Sequence, residues 1–117
     1  MIFLPAGQCL RAVLFQGGVQ MKRFQNKRLV TIGVCTEIPD ILQILMWKMA
    51  EELEDADYLQ VFELMGTQDG VLIVHSQEVP PYENMVKVNC AVELGFRKKV
   101  YIIDDETHST ILLAEEY

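Results

Sequence analysis

The sequence predicts an α+β domain of order β-α-β-β-β-β-β, a curled antiparallel, partly barrel-like sheet packed on one long helix. Three observations predict it. The run from Ile38 to Asp55 repeats apolar residues at helical steps. Six other runs are rich in β-branched residues and are bounded by Gly, Pro and Asp turn signals. Within them Val71 to Val74, Ile102 with Ile103, and Leu112 with Leu113 are apolar on both sides, more than one helix can cover. Curling of the sheet round the helix is one answer, and a dimer that buries the outer face is the other.

Taken in order, RLVTIGVC (residues 28–35) reads as the first strand, with Gly33 a bulge or a close backbone approach. Pro39 suits a first helical turn, and Glu37 and Asp40 sit where the helix dipole favours negative charge. The helix should run to Asp55, with Ile38, Ile41, Leu42, Leu45, Met46, Met49 and Leu53 on one face. Trp47 then points outward beside Gln43, Lys48 and Glu51, flanked by Ile44. Either a loop, the N-terminal extension or the sheet edge covers it, or Ile44 and Trp47 anchor a protein partner or a second subunit. Glu51, Glu52, Glu54, Asp55 and Asp57 crowd the helix C-terminus, where the dipole disfavours them. A helix antiparallel to the first strand would bring Lys27 and Arg28 to that cluster, and this contact is expected in preference to a divalent cation.

YLQVFELM and VLIVHSQEV form a hairpin across Gly66–Gly70, ended by Val79-Pro80-Pro81-Tyr82. MVKVNCAVEL places Val86, Val88, Cys90 and Val92 on one face, a period of two. KVYIID and STILLAEE close the chain as strands joined by the polar turn 105–108.

At 117 residues, half of them apolar, the chain suits one core and hence a single domain, placed at residues 21–117. Residues 1–20 read as an extension, upstream or vector-derived, because the regular pattern begins at Met21. Seventeen Asp and Glu against ten Lys and Arg give a net charge of −7, which would repel a phosphate backbone, so no nucleic-acid partner is expected. No run approaches the roughly 18 apolar residues of a membrane helix. Three cysteines are too few for a disulfide framework, and a cytoplasmic protein with no membrane partner is the expectation.

Chemistry has few candidates. Cys35, His75, Cys90, His108 and the acids at Asp104 stand in no specific spacing, so no catalytic set, metal site or cofactor is assigned. Phosphate-loop, dinucleotide and nucleophile-elbow motifs are missing. His75, Gln77 and Tyr82, on a strand leading into a proline-fixed loop, are the candidate ligand-binding residues; the plainer reading is a polar edge strand.

From Met21 onward KRLVTIGVCTEIPDILQILMW, DYLQVFEL, HSQEVPPY, VYIIDD and STILLAEEY together resemble the bacterial domain-of-unknown-function family nine hundred and sixty, of low-GC Gram-positive bacteria, over residues 22–117. The resemblance implies a single-domain intracellular bacterial protein and carries no catalytic residues. Three functions remain, in order: a non-catalytic protein-interaction or self-association module, a small-molecule-binding domain with a pocket between sheet and helix, and an enzyme using Cys35 or His75.

Overall fold

The computed structural model describes residues 3–5 and 23–117. The elements are β1 (Phe3–Pro5), β2 (Lys27–Thr31), α1 (Ile32–Glu37), α2 (Asp40–Glu51), β3 (Leu59–Thr67), β4 (Gly70–Gln77), β5 (Tyr82–Val88), β6 (Arg97–Asp104), β7 (His108–Leu113) and a 3₁₀ turn, Ala114–Glu116. They build one sheet of order β1-β2-β7-β6-β3-β4-β5. All neighbours are antiparallel except β2 and β7, which are parallel. The α+β class stands, but the sheet is mixed and open, with β1 and β5 at its edges rather than joined as a barrel. Among the described residues two shorter helices, α1 and α2, stand in place of the one long helix the sequence predicts. Of the stretch assigned to an extension, Phe3–Pro5 pairs antiparallel with Leu29–Thr31, and the remainder of residues 1–20 lies outside the described residues.

The first strand stops at Thr31, four residues before its β-branched run ends. Thr31 is the N-cap of α1, its Oγ1 accepting from the Val34 amide at 3.3 Å. The same hydroxyl donates to Glu116 Oε1 at 2.6 Å, and Glu116 Oε2 accepts from the Gly33 amide at 3.2 Å. Gly33 is a close approach, not a bulge: a Cβ there would stand 2.4 Å from Glu116 Oε2. The chain's last turn therefore turns a strand-forming sequence into helix.

Pro39 caps α2, whose buried side is Leu42, Gln43, Met46, Trp47 and Ala50. The helix is rotated from the expected stripe, leaving Ile41 48 % exposed and Trp47 at 1 %. Gln43 accompanies the rotation: its Nε2 donates to the Ile38 carbonyl (2.8 Å), at the C-cap of α1, and to the Val34 carbonyl (3.3 Å), which also accepts from the Ile38 amide at 3.0 Å. The indole of Trp47 lies under the Arg28 guanidinium, 4.6 Å from the ring centroid. Arg28 Nη2 also meets Glu51 Oε2 at 2.5 Å, the contact expected between the basic strand and the acidic helix end, while Lys27 stays exposed.

Phe62, Leu64, Val71, Ile73, Val100, Ile102 and Ile111 form the sheet's side of the core against Leu42, Met46, Trp47 and Ala50. The sheet's other face carries half-buried Val61, Met65, Leu72, Val74, Tyr101 and Ile103, outside that core. Register places them together: Val61 faces Tyr101, Met65 faces Leu72, and Leu59 faces Ile103.

Candidate functional site

The polar residues singled out on β4 do converge. His75 and Gln77 alternate on the inward face of β4, Gln60 points from β3 beside them, and Tyr82 opposite Gln77 on β5 closes the group. His75 is 1 % exposed; its ring stacks on Phe62 at 4.4 Å and meets the edge of Tyr82 at 5.4 Å. Gln77 Nε2 donates to the carbonyls of Asp55 (3.1 Å) and Pro80 (2.8 Å). Its Oε1 accepts from the Asp57 amide (2.8 Å) and from Gln60 Nε2 (2.7 Å), which also donates to the Asp57 carbonyl at 2.9 Å.

These bonds fix both amide orientations, so Gln60 must present its Oε1 to His75 Nε2, 2.6 Å away. An acceptor there requires the tautomer with the proton on Nε2. His75 Nδ1 has no hydrogen-bond partner among the described residues. Burial pushes the His75 pKa down to about 4, because a charged imidazole would leave water without a carboxylate to meet it. A neutral, stacked ring tied to an amide is built to hold β3, β4 and the α2–β3 loop together.

β4 lies between β3 and β5, so His75 and Gln77 are not on a sheet edge; that position belongs to β5, which carries Tyr82. Gln60 was missed in the sequence, although its place on the inward alternation of QVFEL, opposite a run containing His and Gln, is the signal that finds it. Two surface hollows, of about 240 and 450 Å³, lie near the β3–β4 turn and residues 89–95, away from His75, Gln77 and Tyr82. Cys90, half-buried with a free thiol, lines the smaller one. Cys35 is partly buried against the core and disulfide-bonded. Among the described residues no three His, Cys, Asp or Glu side chains gather to hold a metal ion.

The proposed partner anchor also has a definite place. Ile44 is half-buried, and Trp47 does not face outward but packs beneath Arg28.

The family model described as "Staphylococcal protein of unknown function (DUF960)" matches residues 27–116, from the start of β2 to the final turn. The chain belongs to DUF960. None of the curated proteins matches it. A solved structure, "Crystal structure of the protein of unknown function from Enterococcus faecalis", is similar to this DUF960 chain with a TM-score of 0.74 and 22% identity, over 84% of this chain and 98% of that one. At that identity the likeness establishes a shared fold. No helix of the described DUF960 residues is long and apolar enough to cross a membrane.

Proposed function

We propose that this DUF960 chain is a non-catalytic self-association module that works through the β4–β5 end of its sheet. The observation that carries the reading is the contrast between two faces. On one, the two described helices cover the core and the polar side chains of β4 are engaged: His75 Nε2 on Gln60, and Gln77 on Asp55, Asp57 and Pro80. On the other, apolar side chains stay half-buried with no helix over them among the described residues, and at the margin Met85 is 64 % exposed beside Val74. An exposed apolar margin on a charged surface is the ordinary mark of a protein contact. A second copy is the partner that requires nothing beyond this chain.

Sedimentation equilibrium tests it. The wild-type chain should show mass rising with concentration, and Met85→Lys, which puts an ammonium at the margin, should weaken that rise while leaving the urea midpoint unchanged. A wild type that stays monomeric at every concentration overturns the reading.

A further inference from the structure

We infer that two copies join edge to edge through β5, antiparallel about a two-fold axis at Met85, to make one continuous sheet. The inference rests on the self-association reading and names its partner surface.

The backbone of β5 points the right groups outward. The Gly66 amide donates to the Phe96 carbonyl at 2.8 Å, on the β6 side, so Gly66 does not hydrogen-bond to β4. Antiparallel strands alternate between bonded and non-bonded pairs. From Gly66 opposite Val71, alternation assigns Val71, Ile73, His75 and Gln77 of β4 to β5, and through them Val88, Val86, Asn84 and Tyr82 of β5 to β4. The amides and carbonyls of Glu83, Met85 and Lys87 are left pointing away from the sheet. Their side chains are all exposed, on the face opposite the core. Among the described residues no strand pairs with that side of β5.

Such an edge is a template for strand addition. The sequence of this one is complementary to itself. With Met85 opposite Met85 of the partner subunit, Glu83 faces Lys87 of the partner subunit, and Lys87 faces Glu83 of the partner subunit. All three outward residues then exchange backbone bonds, and both charge pairs are attractive. Shifting the register by two residues loses both pairs and sets either Pro81, which has no amide hydrogen, or Asn89 opposite an outward residue. An isologous contact requires that residue i meet j while j meets i, and this register satisfies it. Within one copy Lys87 reaches Asp69 at 2.9 Å, but both side chains are more than half exposed, so that surface pair is readily exchanged.

A charge-swap cycle read by sedimentation equilibrium at low salt decides the matter. Glu83→Lys and Lys87→Glu each turn two attractive cross-strand pairs into repulsive ones and should raise the dimer Kd about tenfold. The double variant E83K/K87E restores both pairs and should return to within about twofold of wild type, a rescue no merely structural role gives. Met85→Pro, which removes an outward amide and no bond to β4, should be monomeric with native circular dichroism. A dimer indifferent to the single swaps, or single swaps that the double does not rescue, overturns β5 pairing while leaving self-association in place. A monomeric wild type overturns both.

Discussion

Acidification should destabilise this fold through one side chain. His75 is neutral in the folded protein with a pKa of about 4, whereas in the unfolded chain it has the ordinary value near 6.5. Between these two values the unfolded state binds the additional proton, so stability rises with pH across the window, is fully present above the unfolded pKa, and is lost as pH falls toward the folded one. A displacement of about 2.5 units corresponds to about 3 kcal/mol in total, of which about 2 kcal/mol should be lost between pH 7 and pH 5. That is a large part of the margin of a small domain. Urea unfolding followed by circular dichroism at pH 7, 6 and 5 measures it, with His75→Gln as the companion. The variant loses stability at pH 7, because the stack on Phe62 goes, but its dependence on pH in this window should be flatter by those 2 kcal/mol. Carboxylates are common to both proteins and cancel in the comparison. Equal losses in wild type and variant between pH 7 and pH 5 would refute the assignment of a buried, neutral His75.

Two further outcomes follow from the backbone. Gly33→Ala forces the Glu116 carboxylate away from Thr31, Gly33 and Leu113, and should cost about 1–3 kcal/mol in urea unfolding. In a Glu116→Ala background the same change should cost little or nothing, since alanine is the better helix residue; strictly additive losses would sink the clamp. Glu106 holds a φ of 83°, so Glu106→Gly should relieve about 1 kcal/mol and raise the calorimetric Tm by a few degrees, and a lowered Tm would count against strain at that turn.

Much of this fold is legible in the residues. The β3–β4 hairpin follows from alternation on either side of Gly66–Gly70, and the Arg28–Glu51 pair from a basic strand and an acidic helix end that require each other. What could not be read locally depends on partners far along the chain. Thr31 to Cys35 has strand propensity, and it becomes helix because Glu116 arrives to bond Thr31 and Gly33. Gln43 looks solvated on a helical wheel, yet its amide is used by buried carbonyls at the end of a helix the sequence does not announce. That bond set accompanies the rotation of α2 that takes Trp47 inside. In the candidate site the alternation of His75 and Gln77 was visible, but not that Gln60 would satisfy both, because alternation gives a face and not the neighbour across it.

The parallel pairing of β2 with β7 imposes a timetable on biosynthesis. Between the described ends of the domain, β2 touches the rest of the sheet through the strand that emerges from the ribosome after all the others. Until then α1 and α2 have no completed sheet on which to lay Leu42, Met46 and Trp47. What β7 adds to that core is Ile111 and Leu113, so pairing of β2 with β7 completes it through contacts far apart in sequence, the kind that form slowly.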